Sequence, residues 1–524
     1  MKNKSYMPLI IAVSMVVGMA IGLFVLGKQQ NNTKSFYSNN SKINYILELI
    51  SKEYVDSTNE DSLTDKAIRS LLTELDPHSV YMTAEQVKRE NDELKGNFDG
   101  IGVQFRIVED TIVVVRTVSG GPSEKVGIMA GDRIVKVNGR ELKNITNDTV
   151  VHLLKGNRGS KVKLSLKRRG INHLIDYTIT RDVIKTQAVR YFGMLNKYTG
   201  YIKLEEFTAT SHDEVATAIR NLKKQGMTQL IFDLRDNGGG YLDQAIAIAD
   251  EFISKGDLIV YTDGRFRGRN DAYATNGGLF EQGKLIVMIN EMSASASEIV
   301  SGCVQDNDRG KIIGRRTFGK GLVQEQRNLP DNSAIRLTVA RYYTPSGRCI
   351  QRPYIKGDPD KYFEDFISRF VNAENDSDTL KHDEKLKYRT KKGRIVYGGG
   401  GIEPDITLPY SVLKRSTYFN SLFKNGLIYK YCFDYVDNNR HIFKQYINGN
   451  DFLNRYKISS KVYNDLLSFA TKSGIEVKKL SSKESEEIKQ LMKGYIAQSL
   501  YEDKFFYQLY ITLDMELNMA IANF

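Results

Sequence analysis

Two stretches of the chain set small or polar residues at the end of apolar, strand-like runs. Lys284-Leu-Ile-Val-Met-Ile-Asn290 is followed by Glu-Met-Ser-Ala-Ser-Ala-Ser-Glu298 and then by an apolar helical pattern through Ile299 and Val300. A small-residue turn between strand and helix exposes a hydroxyl at a helix N-terminus, where backbone amides and the helix dipole favour negative charge. Ser293, Ser295 and Ser297 are thus candidates for a nucleophile, and equally for ordinary helix caps. Leu230-Ile-Phe-Asp-Leu-Arg-Asp-Asn-Gly-Gly-Gly240 is an apolar strand ending in glycines, followed by a helix-like Leu242 to Phe252. Without Cβ atoms, Gly238, Gly239 and Gly240 can turn unhindered N–H groups toward a developing oxyanion.

A serine nucleophile needs a base. Of His78, His152, His173, His212, His382 and His441, only His212 lies in a strand-end context of the α/β region, which gives a Ser/His/Asp triad little support. Thr317-Phe-Gly-Lys-Gly-Leu-Val-Gln324 offers Lys320 between two glycines, with Gln324 four residues on and hence on the same face of a helix or a strand. Burial that lowers a lysine pKa from about 10.4 toward 7, at roughly 4–5 kcal/mol, would make its amine a general base. Gln324 could then accept a hydrogen bond from that amine. The same motif also reads as a surface lysine in a glycine loop.

These loops need a frame. From Tyr198 to about Gly347 strands and helices alternate, which points to an α/β layer architecture. From about Gly96 to Asp182 the pattern is one of short strands with glycine turns, including Thr111-Ile-Val-Val-Val115 and Lys161-Val-Lys-Leu-Ser-Leu166, with a short helix at Ser123–Met129. Gly100-Ile-Gly-Val-Gln-Phe105 before a strand can form a nest of amides for a peptide carboxylate beside an open strand edge. It also reads as a hairpin turn. Joined to Ala130-Gly-Asp-Arg-Ile-Val-Lys-Val-Asn-Gly139 and Leu153-Leu-Lys-Gly-x-x-Gly159, it resembles PDZ domains. Ile101, Val103 and Phe105 alternate along that strand and are expected to line a pocket for an apolar terminal residue.

The order of these motifs carries a wider resemblance. The Ser-Ala-Ser-Ala-Ser-Glu run at 293–298, Phe-Gly-Lys-Gly-x-Val-Gln at 318–324, Asp-Leu-Arg-x-Asn-Gly-Gly-Gly at 233–240, Leu75-Asp-Pro-His-Ser79, Tyr343-Thr-Pro-Ser-Gly-Arg348 and Gly401-Ile-Glu-Pro-Asp405 resemble the carboxyl-terminal processing (tail-specific) serine proteases. The resemblance spans roughly residues 42–410. It implies Ser295 as nucleophile, Lys320 as base and Gln324 as its partner, with the separation 320 − 295 = 25 agreeing with the family pattern. It also implies an oxyanion hole from the N–H of Ala296 and one from Gly238–Gly240. Asp306 lies 306 − 295 = 11 residues beyond Ser295, about three helical turns, and its role is left open between catalysis and structure.

The remaining features set limits. The chain has 524 residues with 75 Lys and Arg against 63 Asp and Glu, a net charge of +12. The basic residues are scattered, as on a solvated face, so no nucleic-acid partner is expected. Cys303, Cys349 and Cys432 are odd in number and far apart, which implies neither a disulfide framework nor a zinc site, and neither a metal nor an organic cofactor is needed. Lys2 and Lys4 precede an uncharged stretch from Pro8 to Leu26, about 19 residues and about 28 Å as a helix, read as an uncleaved signal anchor in preference to a cleaved signal peptide. With the lysines cytoplasmic, the rest faces the periplasm or extracytoplasmic space. Helices with apolar spacing at Ile43, Ile46, Leu47, Ile50 and at Ile68, Leu71, Leu72 are expected to pack, the turn at Leu75–Thr83 reads as a mere break, and Asp358–Lys392 reads as a charged loop or insertion.

The expected architecture is α/β and multidomain: a signal anchor (1–28), an N-terminal helical region (29–95), a β-rich PDZ domain (96–182), an α/β protease core (183–410) and a helical C-terminal extension without evident chemistry (411–524). The expected partners are peptides or proteins with free apolar C-termini and the membrane. A homo-oligomer or an adaptor is compatible with this organisation. The rival readings are a catalytically silent PDZ scaffold, against which intact Ser295, Lys320 and Gln324 argue, and an acyl-CoA enzyme on a related fold, which the PDZ insertion disfavours.

Overall fold

A computed structural model describes residues 39–108, 111–142, 145–373, 382–410, 415–476 and 478–524. The expected membrane segment Pro8–Leu26 lies outside these, and among the described residues no helix is long and apolar enough to cross a membrane.

The α/β region is built on a six-stranded sheet in the order Val189–Met194, Thr199–Leu204, Gln229–Asp233, Lys284–Ile289, Lys311–Gly314, Ile406–Thr407. The first pair is antiparallel and the rest are parallel. Such strands are buried on both faces and read as continuous apolar runs. Leu230, Phe232, Leu285 and Val287 share one core with the helices Ser211–Lys224, Leu242–Asp250 and Ala296–Asp306, while Ile231, Ile286, Met288 and Ile313 face a second core that includes Leu517 and Ala520 of the last helix, Met515–Ile521. A second sheet is centred on the long strand Ala334–Tyr343, which pairs with Val80–Met82, Leu258–Gly264 and Leu322–Asn328.

The segment between about Asn97 and Lys185 has its own sheet (Val103–Val108, Thr111–Thr117, Arg133–Val137, Lys161–Lys167, Ile175–Thr180, with Arg140–Glu141 beside Arg133–Val137) and its own core around Ile112, Ile134, Leu164 and Ile179. The chain enters and leaves it through the paired strands Asn97–Gly100 and Asp182–Lys185. The described C-terminal region is helical and closes a core of its own around Leu422, Phe452, Leu466 and Ile488, with its tyrosines stacked around it.

Two expectations change. The N-terminal helices form at Asn39–Glu53 and Glu60–Thr73, yet Ile43 (42%), Ile46 (53%) and Leu71 (56%) are exposed and of these apolar residues Leu72 alone is buried, because among the described residues no element covers that stripe. The charged stretch after Asp358 begins with the helix Pro359–Ala373, whose Tyr362 and Phe366 pack on Phe318. Its apolar residues recur at four-residue spacing beneath a charged face, so composition alone hid it.

Candidate active site

The three serines of the 293–297 turn take different roles. Ser293 and Ser297 are fully buried, and their hydroxyls donate to Leu234 O and Asn237 O, both at 2.8 Å, which ties this turn to the glycine loop. Ser295 stays partly exposed at the N-terminal end of Ala296–Asp306 with φ +55° and ψ −110°. A non-glycine residue at positive φ is held there only where its surroundings over-determine it. Ser293 and Ser297 on either side provide that constraint.

Gly239 lies directly under the turn. A Cβ on it would fall 2.9 Å from Ser295 Cβ and 3.1 Å from Ala296 N, and one on Gly240 would fall 2.3 Å from Phe207 O. Both positions require glycine, and both have positive φ. The amides differ, however. Gly239 N–H is donated to Asn237 Oδ1 (2.9 Å), whereas among the described residues the N–H groups of Gly238, Gly240 and Ala296 have no protein acceptor. Gly239 is thereby removed from the candidate oxyanion donors.

Lys320 sits in the loop before the strand Leu322–Asn328, and its Nζ donates to Gln324 Oε1 at 2.9 Å. The two meet through a loop and a register shift between Val323 and Gln324, not through a regular period. Gln324 Nε2 donates in turn to His78 O. The Leu75–Ser79 turn is therefore part of the site: Asp76 accepts His78 N, Ser79 N and Ser79 Oγ, and Ser79 Oγ accepts Thr338 N. Burial, helped by the Arg336 charge and opposed by Glu298, brings the Lys320 amine down to about 8. Burial and the Lys320 charge bring the His78 ring down to about 4, so it is neutral at physiological pH.

In the sequence Glu298 stands out only as the last residue of the serine run. It is fully buried, and its Oε1 accepts Thr317 Oγ1 (2.5 Å) and Gly319 N (2.7 Å) while its Oε2 accepts Lys320 N (2.9 Å) and Ser295 N (2.8 Å). Burial pushes its pKa up to about 7, against these four donors. The donors use all four lone-pair positions of a carboxylate, so the geometry is that of the ionised form. Tyr342, also missed, is buried, and its hydroxyl reaches Lys320 O (2.6 Å) and Ser295 O (3.2 Å). Only its wide separation from both residues in sequence hid it. Among the described residues no hydrogen bond joins Ser295 Oγ to Lys320 Nζ.

Other candidates lie elsewhere. Asp306 ends the helix that Ser295 begins, roughly 16 Å away along its axis, and is buried against Arg348 (2.7 Å). That pairing assigns it to structure. His212 pairs with Glu251 (2.8 Å). In the PDZ-like unit Gly100 ends the strand Asn97–Gly100, and Gly102 has φ +70°. Ile101 precedes the strand Val103–Val108 and is buried in the unit's core at 2% exposure, so it does not line an open groove. Val103 and Phe105 are partly buried against the same core as Val150 and Leu153, and a register shift between Gln104 and Phe105 breaks the alternation. The strand pairs only with Thr111–Thr117, which leaves its other edge unpaired among the described residues.

Comparison with known proteins places these features. Residues 198–360 match peptidase family S41, residues 86–167 match the PDZ domain, residues 23–86 match the N-terminal domain of the activating protease CtpB, and residues 418–502 match a family of unknown function. The chain is 38% identical over 328 residues to the carboxy-terminal-processing protease of Bartonella bacilliformis, covering 61% of this chain and 74% of that one. It is 34% identical over 361 residues to the carboxy-terminal processing protease CtpA of Bacillus subtilis, covering 68% and 77%. Among solved structures, the photosystem II D1 C-terminal processing protease is similar at 26% identity and a TM-score of 0.36, covering 71% of this chain and 88% of that one.

Proposed function

This chain belongs to peptidase family S41 as a carboxy-terminal processing serine protease with a PDZ domain, and on that premise we propose that Ser295 and Lys320 are its nucleophile and general base. Ser295 Oγ attacks the scissile carbonyl carbon and its proton passes to Lys320 Nζ. The oxyanion takes hydrogen bonds from Ala296 N–H and from Gly238 or Gly240. Collapse expels the amine, which takes the proton back from Lys320, and leaves an ester on Ser295. Water then attacks the ester carbon and gives its proton to Lys320, which returns it to Ser295 Oγ as the acyl–oxygen bond breaks and the acid is released.

The observation that carries this reading is a lysine amine brought down to about 8, held on Gln324 Oε1, in a loop that Glu298 joins to the Ser295 turn. Contacts of this kind commonly tighten only when substrate binds. The PDZ unit takes the substrate C-terminus as an added strand on the free edge of Val103–Val108, with the carboxylate at the Gly100–Gly102 loop and an apolar terminal side chain against Val103 and Phe105. Tethering raises the concentration of nearby peptide at Ser295. The catalytic part works outside the cytoplasm, anchored through Pro8–Leu26.

A fluorophosphonate probe tests the chemistry. The parent is labelled, Ser295→Ala is not, and Lys320→Ala loses about 10²–10⁴-fold in rate, the usual contribution of a general base. Near-normal turnover in Lys320→Ala would end the serine-lysine assignment. For tail recognition, one unfolded substrate is compared with an apolar free C-terminus, an amidated one and one ending in Asp-Asp. Equal rates on all three would remove the PDZ unit from substrate choice.

A further inference from the structure

The three parallel strands Gln229–Asp233, Lys284–Ile289 and Lys311–Gly314 end side by side, and each releases one loop of the site. The loops run to Gly238–Gly240, to Ser295 and to Lys320. Near its start each carries a buried charge: Arg235, Glu291 and Arg315, whose side chains are 11%, 9% and 9% exposed. Charges at such depth persist only when paired.

Part of the pairing is local. Arg235 is paired with Asp233 (2.6 Å), and Arg315 Nε donates to Glu291 Oε1 (2.8 Å). The remainder comes from the far end of the chain. Asp514 caps the last helix, accepting Leu517 N at 2.9 Å, and its Oδ2 also accepts Arg235 Nη2 at 2.5 Å. Glu516 is buried, with Oε2 2.8 Å from Arg235 Nη1 and Oε1 on Arg315 Nη1. Leu517 and Ala520, buried against the sheet, hold this helix in place. Without Glu516 each arginine keeps a carboxylate partner. What is lost is the one side chain that, among the described residues, contacts Arg235 and Arg315 together.

We propose that Glu516 is a positioning residue for catalysis, a strut from the C-terminal helix that sets the spacing between the oxyanion loop and the Lys320 loop. The inference rests on the Ser295/Lys320 reading. Misplacement of reacting groups by about 1 Å can cost on the order of 10²-fold in rate, so the bridge affects turnover more than substrate capture.

The test uses the full-length protein with Glu516→Gln, which keeps the length and removes the charge, and Glu516→Asp, which keeps the charge and is too short to span both guanidinium groups. Each is isolated as its folded fraction. Cleavage of a peptide with a free apolar C-terminus gives kcat and KM, and fluorophosphonate labelling reports on Ser295 alone. The expected result is a fall of about tenfold or more in kcat and labelling rate for both variants, with KM within about twofold. Full rescue by Glu516→Asp would reduce the residue to charge balance and overturn the inference, as would parental kcat and labelling in Glu516→Gln. Cleavage surviving in Ser295→Ala would instead overturn the reading beneath it, so the two failures are distinguishable.

Discussion

A lysine that serves as base near neutral pH must be kept neutral by its surroundings, and this has two consequences of opposite value at Lys320. With the amine at about 8, kcat/KM rises with pH along a limb centred there, because only the unprotonated amine accepts the serine proton. A limb centred near 10 would show that burial does not act on the catalytic state. For stability the same shift is a cost, and it too is relieved as pH rises. The folded pKa lies below the unfolded value of 10.5, so the unfolded chain binds more protons between about 8 and 10.5, and folding carries a penalty that is full below 8 and fades as pH rises through 10.5. A shift of this size corresponds to on the order of 3 kcal/mol. The stability of Lys320→Met relative to the parent should therefore fall by about that amount between pH 7 and pH 10.5, measured by urea unfolding at each pH. A pH-independent difference would contradict it.

At the scale of elements, the turn Leu75–Ser79 belongs to the strand Leu322–Asn328 rather than to its own neighbourhood in sequence. Asp76 accepts three donors from the turn and thereby aims His78 O at Gln324 Nε2. Asp76→Ala leaves those donors without their acceptor, at about 1–3 kcal/mol of stability, and lets the Gln324 amide rotate away from Lys320. A fall of about tenfold in kcat with little change in KM is expected, with partial recovery in Asp76→Asn, which keeps one acceptor oxygen. Unchanged kcat in a destabilised Asp76→Ala would show that the turn supports the fold and not the base.

For the whole molecule, the C-terminal helices join the two working units. The helix Leu427–Phe443 lies on the PDZ unit: Arg106 pairs with Asp434 (2.5 Å) and stacks on Phe433 (3.7 Å to the ring centre), Phe433 packs with Val113 and Val115, Arg133 pairs with the Asp437 carboxylate (3.3 Å), and Arg169 donates to the Asp437 backbone O (3.0 Å). Arg116 pairs with Asp503, and the last helix covers the catalytic sheet. The fastening is largely ionic, so charge reversal at Asp434 and Asp437 to Lys should release the PDZ unit. Trypsin cleavage near the connecting strands Asn97–Gly100 and Asp182–Lys185 should rise several-fold, and high salt should produce part of the same effect in the parent. No change in cleavage would mean that apolar contact alone holds the units together.

Sequence alone determined the strand-turn-helix settings of Ser295 and the glycine loop, and the PDZ-like unit, because each rests on local patterns of apolar runs and Cβ-free turns; the Lys320–Gln324 contact it suggested from spacing is made instead through a loop and a register shift. Local pattern could not say which of the three serines stays free, a choice that only the family resemblance implied, nor that Gly239 spends its amide on Asn237, nor that Ile101 turns into a core. Those outcomes depend on which backbone groups a folded neighbour brings within 3 Å. Least of all could it connect Glu516 with Arg235 and Arg315, 281 and 201 residues away. A charged residue announces its sign along the chain but not its partner, and only the packing of the last helix on the catalytic sheet decided that.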